Sequence, residues 1–171
     1  MSIDAESVGA GMLQAVPFAR TLGFEFLEAA ADVSQAASGG DVPEAAPGGD
    51  GGVRAVVRLP DSPATHNHVG GPHAGAIFTL GETASGAVVL AAFSHLLDRA
   101  VPLAVRADIA YKRLALGAVR ATARLGRPAA EVAAELAAGT RPEFPVLVEI
   151  ATEDGETTAE MTVIWTLRPQ R

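Results

Sequence analysis

The sequence predicts an α+β domain in which one long apolar helix is wrapped by an antiparallel sheet. Two observations carry this. The longest apolar run, "GAIFTLGETASGAVVLAAFSHLL" from Gly75 to Leu97, suits a buried helix of roughly 20 residues or more. On both sides of it the apolar spacing changes to period two, with two strand-like segments before it and four after. Strands flanking a single apolar helix bury one face best by folding around it. The 171 residues suffice for one domain with its own core, so residues 1–171 are read as a single domain.

Taken in order, Val8 to Leu22 reads as a short helix kinked near Pro17, giving an N-terminal helical segment over about residues 1–22. "FEFLEAA" is the first strand. From Ala29 to Gly52 there is no Leu, Ile or Phe, and Gly, Ala, Pro and Asp dominate; such a stretch cannot bury enough apolar area to hold a fixed shape. A flexible loop inside the domain is therefore expected over about residues 29–52. "GVRAVVRLP" alternates into a second strand that ends at Pro60. After the long helix, "LAVRADIAYKRL", "GAVRATARLG", "FPVLVEIATEDG" and "TTAEMTVIWTLRP" are four further strands. A short helical insertion capped by Gly139 interrupts them.

Composition narrows the chemistry. With no cysteine there is no disulfide, no Cys-ligated zinc and no thiol nucleophile. The net charge of -7 opposes nucleic acid or an anionic membrane as the main partner. The long apolar run has the length of a membrane span, yet a central Glu82 beside Thr79, Thr83, Ser85, Gly81 and Gly86 would be costly in lipid. No basic-then-apolar leader opens the chain, so a cytoplasmic protein is expected. Charge is unevenly spread. Arg106, Lys112, Arg113, Arg120, Arg124 and Arg127 face one acid, Asp108, whereas Glu131 to Glu160 is mostly acidic. These runs are either solvated strand faces or a local anion site suited to a phosphorylated ligand.

The stretch "HNHVGGPHAGAIFTLGE", His66 to Glu82, holds three of the four histidines and the only acid between Asp61 and Asp98. Glu is seldom buried without a partner, since losing its hydration costs several kcal/mol. A carboxylate two turns into an apolar helix therefore points to acid–base or nucleophilic work. Where the helix starts, the backbone N–H groups of Ala74 and Gly75 carry partial positive charge and suit a polarised carbonyl.

The segment Asn67-x5-His73-Ala74-Gly75 … Leu80-Gly81-Glu82-x3-Gly86 resembles the signature of the PaaI-like thioesterase branch of the hotdog superfamily. That branch carries an Asn, a His-Gly-Gly six positions on, and an Asp or Glu nine after the His. "IAYKRLALGAVRATARL" is also similar to the family's strand pair, in which an aromatic and a basic residue precede a Gly-led strand. The likeness covers roughly Gly23 to Pro169. It departs at Ala74, which stands for the first Gly, and at Ala104, which aligns with a Ser or Thr that often lends a polar group to the site.

The resemblance implies a hotdog fold, a dimer with a continuous sheet, and hydrolysis of an acyl-CoA or acyl-carrier thioester. It implies catalytic roles for Glu82 as general base or nucleophile, Asn67 as orienter of water or the thioester oxygen, and His73 as a positioning group. Substrate contacts fall to Ala74, Gly75, Ala104, Tyr111, Lys112 and Arg113, the last three toward a pantetheine arm or coenzyme A phosphates. No metal or other cofactor is implied, since coenzyme A belongs to the substrate. The His66-x-His68-x4-His73 spacing invites a metal, but with no fixed element or nearby acid to complete the set it is set aside.

Two other readings stay open. A hotdog hydratase or dehydratase would use His68 and Glu82, fourteen residues apart, although the usual His-Phe-Pro opening is absent. A non-catalytic acyl-CoA-binding module would use the fold alone. At about 1.5 Å per residue, His73 and Glu82 lie roughly 13 Å apart along one helix, too far to share one carbonyl. Glu82 therefore makes most sense facing a neighbour's loop, in a homodimer or a tetramer built from it.

Overall fold

The computed structural model describes residues 11–31 and 53–170. Six strands form one antiparallel sheet: β1 (Glu25–Ala31), β2 (Val53–Leu59), β3 (Ala100–Tyr111), β4 (Val119–Leu125), β5 (Glu143–Thr152) and β6 (Thr157–Pro169). Their order across the sheet is β1-β2-β4-β5-β6-β3, every neighbouring pair antiparallel. Among the described residues it is accompanied by α1 (Pro17–Thr21), α2 (Ala74–Phe93) and α3 (Ala129–Ala137), with a helical stretch at residues 11–15 just before α1. This is the expected hotdog arrangement, with α2 lying in the concave face of the sheet.

The period-two pattern explains the packing. Inward residues Val57 and Leu59 on β2, Ala121 and Ala123 on β4, Phe144, Val146 and Ile150 on β5, and Val163 and Leu167 on β6 are fully buried. They meet Leu80, Ala84, Ala87, Val88 and Phe93 of α2, and the rings of Phe93 and Phe144 stand 5.2 Å apart at 58°. Gly81 is what lets the helix settle this low. A Cβ there would lie 2.6 Å from Met161 Sδ. The stretch from Ala74 to Leu96 is long and apolar enough to cross a membrane, but about two thirds of its most apolar part (67%) is buried inside this fold.

Most expected boundaries hold, with two differences. The long helix closes at Phe93 and tightens into a 3₁₀ turn at Ser94–Leu96, rather than running on to Leu97. The first strand, expected over "FEFLEAA" to Ala30, runs one residue further: Ala31, expected only in the flexible loop, pairs with Val53 as the end of β1. Backbone pairing needs no apolar side chain, so a run of alanines carries it. The rest of that expected loop, and residues 1–10 of the N-terminal segment, lie outside the described residues. Residues 11–15 are helical, the helix breaks at Val16, and α1 restarts with Pro17 as its first residue. Gly139 ends α3 at φ +81, donating to Leu136 O, as the sequence predicts.

The two charge runs cancel. Arg106 pairs with Asp108, Lys112 with Glu160, Arg113 with Glu156, Arg120 with Glu153, and Arg127 with Glu131 and Glu135. The basic run occupies β3, β4 and the segments that follow them, and the acids that answer it are Asp108 of β3, Glu131 and Glu135 of α3, Glu153 and Glu156 in the β5–β6 turn, and Glu160 of β6. The solvated-face reading accounts for it; apart from Arg124, every base of the run is in an ion pair.

Candidate active site

The site is built from the loop before α2 and from α2 itself. Asn67 folds that loop. Its Oδ1 accepts from Val69 N at 2.9 Å and Gly71 N at 3.4 Å, its Nδ2 donates to Pro72 O, and its backbone N–H donates to Gly71 O. Gly70 supplies the left-handed turn at φ +82. Gly71 lies so close to the β3–β4 connection that a Cβ would be 2.1 Å from Ala115 O. The Asn67 side chain is thus spent on holding the turn.

His73 is the N-cap of α2, and its Nδ1 accepts from Gly75 N at 2.9 Å. A neutral ring accepting at Nδ1 carries its proton on Nε2. Of the two expected polarising donors, Gly75 N–H is therefore engaged by His73, while Ala74 N–H makes no hydrogen bond among the described residues. Tyr111, at the end of β3, reaches the same place: its hydroxyl donates to Ala74 O at 3.0 Å, and burial raises its pKa above the ordinary tyrosine value. His73, Ala74, Gly75 and Tyr111 are thus brought together. Lys112 and Arg113 follow Tyr111 but turn to Glu160 and Glu156. Ala104 sits exposed on β3, in register with Trp165 of β6.

The loop opens into a hollow of about 540 Å³, between α1 and the start of α2, lined in part by Phe18, Leu22, His66, His73, Gly75 and Thr79. At its edge His66 Nε2 meets Asp61 Oδ1 at 2.6 Å. His68 is exposed at the turn and lines neither this hollow nor the next. No three His, Asp or Glu side chains converge to hold a metal among the described residues.

Glu82 lies elsewhere. It is half-buried on the wall of a second, separate hollow of about 220 Å³, with Thr83, Gly86, Val89 and Leu90 of α2, Met12 and Val16, Pro102, and Trp165. The carboxyl makes no hydrogen bond or ion pair among the described residues. Burial alone pushes its pKa above the ordinary glutamate value. Beside it the Thr83 hydroxyl is buried with no partner. The loop donors and the carboxyl thus open onto different hollows of one protomer.

Sequence reasoning did not find Met12, Val16, Thr83 or Trp165 as parts of the site, and it held Gly86 only as a motif position without a role. Only a period-2 reading of β6 and a helical reading of residues 11–15 signal that Trp165 and Met12 turn inward. That they meet over Gly86 is a tertiary fact with no local signature.

A family model described as "Domain of unknown function (DUF4442)" matches residues 44–167. No curated protein matches the sequence. Among solved structures, a Pseudomonas aeruginosa protein of unknown function, called a probable thioesterase, superimposes at TM-score 0.76 with 23% identity over 99% of each chain. The Escherichia coli PaaI protein from the phenylacetic acid degradation operon does so at 0.65, with 16% identity over 95% of this chain and 92% of its own. Another Pseudomonas aeruginosa thioesterase, solved as a Gln-to-Ala mutant, gives 0.68, with 16% identity over 99% and 97%. At these identities the likeness establishes the hotdog fold that these proteins share.

Proposed function

The chain belongs to the DUF4442 family, whose description assigns no chemistry, and we propose that it is a homo-oligomeric acyl-CoA thioesterase with Glu82 as its general base or nucleophile. One observation carries the reading: an unpartnered, half-buried carboxyl on the wall of a largely apolar hollow. A carboxylate left there without a structural partner costs stability, and catalysis is the ordinary return. The structural relatives named as thioesterases support the same direction.

In this reading a water attacks the thioester carbonyl carbon while Glu82 takes its proton. The resulting oxyanion is held by backbone N–H groups at the start of α2, Ala74 first, with Gly75 joining when His73 releases it. The C–S bond then breaks, and the coenzyme A sulfur leaves with the proton from Glu82. Direct attack by the carboxylate, giving an acyl-enzyme anhydride that water then hydrolyses, uses the same groups. Burial supports the base role, because a carboxyl with raised pKa is a stronger base in its ionised form. Asn67 acts by shaping the loop, Tyr111 borders the start of α2, and Lys112 and Arg113 would have to exchange Glu160 and Glu156 for the phosphates of coenzyme A to meet them. No metal or other cofactor enters this scheme.

The separation of the loop from Glu82 supports a site shared by two protomers. β3 is one of the sheet's two edge strands, β1 being the other, and its Val101, Leu103 and Val105 are exposed. Such an edge is suited to pairing with a second copy. The dimer would set one protomer's loop against the other's Glu82, giving two sites in a cytoplasmic enzyme.

Ala104, which offers no hydroxyl, and the engagement of Gly75 N–H favour a second reading, an acyl-CoA-binding module without turnover. Purified protein incubated with a panel of acyl-CoAs and a thiol reagent separates them. Thiol release supports the hydrolase, whereas tight binding without release would replace it with the module.

A further inference from the structure

We infer that the hollow beside Glu82 is the acyl slot, taking a straight-chain or aryl acyl group of about six to eight carbons, with Gly86 and Trp165 setting its length. The inference rests on the thioesterase reading for the chemistry at Glu82, but the binding it describes is independent of turnover.

Glycine inside a helix costs about 0.5–1 kcal/mol relative to alanine, so each needs a reason. Gly81 has one in the fold, because a Cβ would strike Met161 Sδ at 2.6 Å. Gly86 has none. A Cβ there would meet Met12 Cε and the Trp165 ring at 3.6 Å, an ordinary contact, so packing does not exclude alanine. What a larger residue would remove is the open space between α2, Met12 and Trp165.

The far wall is rigid. Trp165 Nε1 donates to Ser85 Oγ at 3.0 Å, and Ser85 Oγ donates to Glu82 O at 2.7 Å, so the indole is fixed to the same helical turn that carries the carboxyl. Trp165 as a whole is 8% exposed. The other walls, Met12, Val16, Val89, Leu90 and Pro102, are apolar, which leaves Glu82 and Thr83 as the polar groups. A hollow with apolar walls and a carboxyl on one of them fits an acyl group whose reacting carbon stops at that carboxyl.

Size fixes the class. An apolar cavity of about 150 Å³ holds one benzene. At about 220 Å³ this one holds an aryl ring with one or two further carbons, or an extended chain of about six to eight. A palmitoyl-length chain would extend beyond the hollow.

Trp165 is the only tryptophan in the chain, so it reports the slot directly. The test measures its emission on titration with the non-hydrolysable thioether octyl-CoA against coenzyme A alone. It also measures the ratio of kcat/KM for octanoyl-CoA to that for butyryl-CoA in the wild type, Gly86→Ala and Gly86→Leu. We expect an emission shift with octyl-CoA only, lost in Gly86→Leu, and a ratio that falls stepwise, at least tenfold in Gly86→Leu. The alanine variant keeps the test available if leucine disturbs folding. An emission shift without hydrolysis of any acyl-CoA leaves the slot standing and overturns the hydrolase. Hydrolysis with no emission shift, or with the same ratio in both variants, overturns the slot and leaves the hydrolase.

Discussion

His73 takes the N–H of Gly75 with its own ring, Nδ1 accepting at 2.9 Å, and so caps the helix whose start it marks. A histidine is an unusual cap, and the bond ties the ring's orientation to a donor that an oxyanion would also want. If the ring is the cap, His73→Ala lowers stability by about 1 kcal/mol and His73→Asn restores most of it. Urea midpoints measure this; equal losses in both variants would mean that the ring does not cap.

Glu82 gives a pH signature. Its folded pKa lies above its unfolded value because burial disfavours the charged form. Below the ordinary glutamate value the group is protonated in both states and the fold bears no charge penalty. As pH rises through the folded pKa, the native state must ionise a half-buried carboxyl and stability falls relative to a neutral residue. Glu82→Gln should therefore raise Tm near pH 7 and lose that advantage as pH falls toward 4. An advantage that grows on acidification would reverse the sign and the assignment.

Thr83 is 2% exposed, and its hydroxyl has no partner among the described residues. An unsatisfied buried hydroxyl costs roughly 1–3 kcal/mol, and an isosteric methyl removes the cost. Thr83→Val should be more stable than the wild type by about 1 kcal/mol in chemical denaturation. A loss of stability instead would place a hidden partner on that oxygen.

Two glycines should respond in opposite directions. Gly71→Ala forces a Cβ against the Ala115 carbonyl and should destabilise by about 1–3 kcal/mol. Gly86→Ala meets only ordinary contacts in a helix and should be neutral or stabilising by up to about 1 kcal/mol. Thermal melts of the pair decide whether Gly71, and not Gly86, is held by the fold.

The helix, the strands and the position of Glu82 were legible because each is a local pattern: an apolar run, an alternation, one acid where none belongs. The use of the side chains was less so. Asn67 is spent on its own turn, and Gly75 N–H on His73, choices made by loop geometry that spacing alone does not record. The basic run left solvated faces and an anion site both open until the β5–β6 turn, β6 and α3 laid their acids beside it. Met12 and Trp165 are far apart in sequence and meet only across Gly86.

Thiol release from octanoyl-CoA by the wild type and by Glu82→Gln tests the central claim most directly. A general base contributes about 10²- to 10⁴-fold, so the wild type should release coenzyme A and the folded variant should lose activity by that factor. Undiminished release by a Glu82→Gln protein of native fold and oligomeric state would contradict the account.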